Sequence, residues 1–159
     1  MKNNNKSEIL KEKLKQALSS TEIALSGDLE LKKKLDHNKS SKEFSFFNLE
    51  NLNTKSDFIK ARAESDSSAL KKKFSNNEIY KKNLPNNSSY GSLYSIAEKI
   101  RYEALGSQML KGVKKNLREN YDQIISLKRK DQLKTKEDVP VIEAFEPSLF
   151  VSLLVSSLL

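Results

Sequence analysis

Residues 96–117, IAEKIRYEALGSQMLKGVKKNL, carry the densest pattern in this 159-residue chain, and their reading decides the fold. At about 100° per residue, Leu93, Ile96, Ala97, Ile100 and Ala104 fall in one narrow sector of a helix, and Leu105, Met109, Val113, Leu117 and Ile124 in a broader sector roughly opposite. The apolar face flips near Gly106. Two arrangements satisfy the flip: a helix break at Gly106, where glycine costs about 1 kcal/mol relative to alanine, or one long helix that buries different faces along its two halves. Either places an element of about residues 89–126 at the centre of an all-α fold. Ala97, Ala104, Gly106 and Gly112 would let neighbouring backbones approach it closely.

Outward from this element, spacing predicts further helices. Leu10, Leu14, Ala17, Leu18, Thr21 and Leu25 recur at helical intervals over residues 8–25, with Gly27 as the stop. Ser19 to Glu22 also reads as a capping box, which leaves one helix or two. Residues 1–7 read as a disordered polar tail, and residues 26–55 as a flexible linker pinned to the core by Phe44, Phe46, Phe47, Leu49 and Leu52. A helix follows over about 57–73, with Ser56 as N-cap and Ile59, Ala63, Ser67, Leu70 and Phe74 as its inner stripe. Asn76 or Asn77 then caps a short helix, EIYKKNL, which Pro85 ends and whose Ile79, Tyr80 and Leu84 face inward. Residues 127–138 read as a charged connector, and Asp138 with Pro140 as the start of another helix. The expected domain is irregular, spans residues 8–145 and has about four to six helices. Residues 146–159 form an apolar tail that reads as a truncation point.

Composition narrows the chemistry. There is no cysteine and one histidine, His37, so disulfides and thiolate metal sites are excluded, and a Ser-His-Asp triad would have to use that one residue. GSQMLKG lacks the spacing of a phosphate-binding loop. Glu98 with Arg101, and Glu119 with Asp122, sit at surface helix spacing and need no catalytic explanation. No apolar run approaches the roughly 20 residues of a membrane span, so no membrane role and a cytoplasmic location are expected. The net charge of +8 raises an alternative, a small basic helical nucleic-acid-binding protein. Its distribution argues against that. Basic residues exceed acidic ones by three in residues 1–60, three in 61–110 and two in 111–159, and only four of the 29 are Arg.

Glu98, Arg101, Glu103, Ala104, Leu105, Gly106, Met109, Gly112, Val113, Asn116 and Leu117 together resemble a motif of the N-terminal region of the cobaltochelatase T subunit of aerobic cobalamin biosynthesis. ALSGDLEL, RAESDSSAL, SNNEIYKKNLP and EDVPVIEAF resemble the family's flanking segments in order, so the likeness covers roughly residues 17–145. The resemblance implies partners: an AAA+ ATPase subunit and a large chelatase subunit that holds hydrogenobyrinic acid a,c-diamide for cobalt insertion. It implies that ATP, Mg and cobalt serve the whole complex and that this chain binds no cofactor. The motif residues would be structural or would contact the other subunits. The family's metal-ion-dependent adhesion motif lies in a C-terminal von Willebrand A domain that has no counterpart here, and SLFVSLLVSSLL does not match the charged helix expected after EAF.

Overall fold

The structure, a computed structural model, describes residues 2–27, 52, 54–130, 145–146, 148–150 and 152. Every element among them is an α-helix, as the periodicity predicts. They fall into two units, Met1–Lys73 and Phe74–Leu159.

In the first unit, α1 spans Lys2–Ser26 without interruption. Helical hydrogen bonds are local, so the ladder runs through the polar residues ahead of the predicted start at Glu8. It ends at Gly27, whose φ of 71° is the left-handed conformation glycine adopts without strain. The Gly27 N–H donates to the Ile23 carbonyl at 3.1 Å. Ser19 to Glu22 is not a capping box. Glu22 is buried and accepts from Ser68 Oγ at 2.9 Å and Lys72 Nζ at 2.7 Å. Both donors lie on α2, which spans Lys55–Phe74.

The cap of α2 is Thr54 rather than Ser56. The Thr54 N–H donates to Asp57 Oδ2 at 2.8 Å and the Asp57 N–H to Thr54 Oγ1 at 3.2 Å, the reciprocal pair of a capping box. The buried face also differs from the predicted stripe. It consists of Ala61, Ala63, Ser65, Asp66, Ser67, Ala69 and Leu70, whereas Ile59 and Phe74 are half-buried. Small residues win because α1 comes close. The Ser65 hydroxyl donates to the Leu18 main-chain carbonyl at 3.3 Å.

In the second unit, Asn76 caps α3, Asn77–Asn83, by accepting from the Glu78 and Ile79 N–H groups. Ile79 and Leu84 are exposed rather than inward, because a helix of two turns has too little length to cover both. Asn87 caps α4, Ser88–Met109, in the same manner. The chain then breaks at Leu110, whose extended φ of −131° and ψ of 105° separate α4 from α5, Lys111–Lys130. Gly106 does not break the helix. It is buried within α4, and its carbonyl accepts from the Leu110 N–H at 2.9 Å.

That shift of the break by four residues explains the remaining corrections. The two helices pack against each other. Ile100, Tyr102, Glu103, Gly106 and Ser107 are buried on α4, and Val113, Leu117 and Tyr121 on α5. Leu105 and Met109, assigned to the inner face by carrying one helical wheel past the junction, are exposed. Of the four small residues only Gly106 is buried. Ala97 and Gly112 are exposed and Ala104 is half-buried. Residues 145, 146 and 148–150 are helical, and the buried Phe150 stacks on Tyr121 with ring centroids 4.3 Å apart. His37, the aromatic pins Phe44, Phe46 and Phe47, and the helix start at Asp138 and Pro140 lie outside the described residues, as does most of the 26–55 segment. No helix among the described residues is long and apolar enough to cross a membrane.

Candidate functional site

The motif on α4 does its first task at the corner that leads into α3, at Phe74 and Ser75. Glu98 and Arg101, one turn apart, form a two-pronged ion pair, Nε to Oε2 at 2.7 Å and Nη2 to Oε1 at 2.8 Å. The same Nη2 donates to the Phe74 carbonyl at 2.7 Å, and Ser75 Oγ donates to Glu98 Oε1 at 2.7 Å. A carbonyl left open at the end of α2 is thereby satisfied. The hydrogen bond to Glu98 outweighs partial burial and raises the Arg101 pKa further, so the guanidinium stays charged.

The same residues line a groove of about 530 Å³, Glu98 and Arg101 together with Phe74, Asn76, Ile79, Tyr80, Tyr94 and Ala97. The Tyr80 and Tyr94 rings meet at 5.3 Å, and the Tyr80 hydroxyl lies 2.6 Å from Ser95 Oγ. Since Glu98 and Phe74 already occupy the Arg101 fork, the lining suits an apolar side chain better than an anion.

The second task is at the α4–α5 contact. Glu103 is buried, and the Tyr121 hydroxyl lies 2.8 Å from its Oε2 and 3.0 Å from Glu146 Oε1, able to donate to either. Lys99 Nζ bonds Glu146 and sits 5.8 Å from the centre of the Tyr121 ring. Burial disfavours the Lys99 charge, but Glu103 and Glu146 together outweigh it and raise the pKa. Burial, then the same two carboxylates, push the Tyr121 phenol far above its ordinary value. The group joins one ammonium, one phenol and two carboxylates. It fixes α4, α5 and residue 146 to each other. Among the described residues no three His, Cys, Asp or Glu side chains gather as metal ligands.

The motif residues therefore separate by place. Glu98 and Arg101 hold the corner; Glu103, Gly106, Val113 and Leu117 are buried in the second unit; Ala104 and Asn116 are half-buried. Leu105, Met109 and Gly112 are exposed. Sequence reasoning missed Lys99, Tyr121, Glu146 and Phe150. Tyr121 continues the Val113 and Leu117 stripe at i+4, a signal that was present, whereas nothing in the spacing links Glu146 to Lys99. Glu119 and Asp122 pair at i+4 with Lys115 and Arg118 on the surface, as expected of solvated ion pairs.

The chain matches the family described as cobalamin biosynthesis protein CobT over residues 9–149. Comparison with curated proteins gives no match, and comparison with solved structures gives none. The matched segment contains both tasks of the α4 motif and extends four residues past the predicted domain end at 145. Covering most of its length, that match shows that the chain belongs to the CobT family of cobalamin biosynthesis proteins.

Proposed function

We propose that the chain is the partner-binding N-terminal module of a cobaltochelatase T subunit, in the ATP-dependent complex that inserts cobalt into hydrogenobyrinic acid a,c-diamide. The family match over residues 9–149 carries this reading. The internal arrangement supports it: Glu98, Arg101, Glu103 and Tyr121 are engaged with one another or with the backbone, which suits a rigid docking body. In this reading ATP and Mg belong to the AAA+ ATPase subunit, the tetrapyrrole to the large subunit, and cobalt is the substrate. The module works in the cytoplasm and contributes binding surface rather than bond chemistry.

Co-expression with the ATPase and large subunits, followed by size-exclusion chromatography, tests the assignment. Co-elution with at least one of them is the expected result. A chain that keeps its helical circular dichroism yet elutes apart from both overturns it.

A further inference from the structure

The corner where α4 meets α5 presents apolar side chains that the fold does not use. Met109 is 60% exposed, Leu110 40% and Leu105 36%. Three large apolar groups adjoining one another on a surface mark an interaction site more often than scattered single ones do. Cations follow them along the chain. From Ala104 to Arg118 the chain has no acidic residue and four basic ones, Lys111, Lys114, Lys115 and Arg118. Among the described residues no carboxylate lies within ion-pair distance of Lys111 or Lys114, whereas Lys115 and Arg118 reach only the loose surface pairs with Glu119 and Asp122 at 3.8 and 3.9 Å.

Gly112 is the independent observation. It lies in the first turn of α5, does not adopt a positive φ, is exposed, and a Cβ built on it would meet nothing within 4 Å. Neither backbone strain nor internal packing requires glycine there. A bare backbone flanked by Met109, Leu110 and Lys111 gives another main chain room to come close, as small residues do between packed helices. A lipid surface or a nucleic acid draws no advantage from such a gap, and a nucleic acid draws little from Met109 and Leu110.

We propose that this corner docks an acidic amphipathic helix of a partner protein. Leu105, Met109 and Leu110 receive its apolar side chains, Lys111 and Lys115 meet its carboxylates, and Gly112 admits its backbone. The proposal rests on the partner-binding reading above and specifies the surface and the chemistry of the partner.

The test uses the intact chain and a fluorescein-labelled helical peptide of Leu, Ala and Glu at heptad spacing, with binding read by anisotropy. Met109→Glu, Lys111→Glu and Gly112→Leu should each weaken binding by about tenfold or more. Lys60→Glu, which removes an exposed cation from α2, should leave it unchanged. Gly112→Leu has open space in the fold and a better helix former in place of glycine, so its helix content and melting temperature should equal or slightly exceed those of the wild type. Absence of binding to the wild-type chain overturns the proposal. So does equal weakening by Lys60→Glu, unchanged binding by Gly112→Leu, or binding of phosphatidylserine vesicles or a single-stranded oligonucleotide with the same dependence on Met109. The same variants in the co-elution experiment separate the two readings. A cobaltochelatase complex that survives Met109→Glu and Lys111→Glu overturns this surface and leaves the assignment standing. Peptide binding without any complex supports the surface while the assignment falls.

Discussion

Glu22 in the first unit and Glu103 in the second are closed off from water to the same degree, at 2% and 1% exposure, yet their partners differ. Glu22 accepts from a hydroxyl and from the Lys72 ammonium, which reaches in from a side chain 34% exposed. Glu103 is paired with the Tyr121 phenol, while the Lys99 ammonium bonds Glu146. In the first unit the buried residues of α2, the helix that supplies both donors, are mostly small, Ala61, Ser65 and Ala69 among them. In the second unit the donor is itself a buried ring, Tyr121, stacked on Phe150. A cation on a flexible stem neutralises charge directly. A phenol in a packed face supplies one hydrogen bond and a large apolar area, and it makes the site answer to pH.

The aromatic side of that comparison should break most easily. Phe150→Ala removes a fully buried ring and should cost about 3–5 kcal/mol in the second unit, read by denaturant unfolding. Lys72→Met leaves Glu22 buried with its hydroxyl donor but without this cation, at about 1–3 kcal/mol. Glu22→Gln in the same chain should recover part of that loss. Tyr121→Phe removes the donor but keeps the ring, so its cost should stay within the lower half of the same range. A Tyr121→Phe loss larger than that of Lys72→Met would reverse the ranking of cation over phenol.

The pH dependence sharpens the contrast. Lys99 and Tyr121 both hold their protons more tightly in the folded chain than in the unfolded one. Their contribution is therefore complete below the unfolded values, near about pH 10 for each, and declines as pH rises through them. For Tyr121, whose folded and unfolded values lie far apart, the slope approaches about 1.4 kcal/mol per pH unit, and the half-exposed Lys99 adds less. Tyr121→Phe should reduce that slope, as followed by circular dichroism with tyrosinate absorbance. A wild-type curve as flat as the variant's would show that the phenol is not the group involved. Thr54→Ala should cost about 1 kcal/mol through the lost cap. Gly112→Ala, with open space around it, should change stability least and in the stabilising direction, by less than about 1 kcal/mol in a thermal melt.

Helix existence was legible because the signals that set it are local. Gly27 as a stop and Asn76 as a cap act on their own turn, and both are where the sequence places them. Thr54 escaped the sequence reading because Asp57 serves equally as a first-turn acid behind Ser56, and only the geometry shows it to be the third residue of a capping box. Burial was less legible. A helical wheel is valid while the axis continues, and the extended Leu110 redirects it, so Leu105 and Met109 came out on the wrong face. The motif's corner task was not legible at all. Arg101 binds a main-chain carbonyl 27 residues away, and carbonyls carry no sequence signature.

The junction at Leu110 makes its turn without glycine or proline, and main-chain bonds run on both sides of it. The Leu110 N–H reaches back to Gly106, and its carbonyl accepts from the Lys114 N–H at 3.0 Å. Nothing in that bonding depends on the side chain at position 110, which points outward with 40% of its surface in water. The corner can therefore change its chemical identity without renegotiating the fold. Substitutions there are open to selection for whom the protein meets, at little cost to whether it folds.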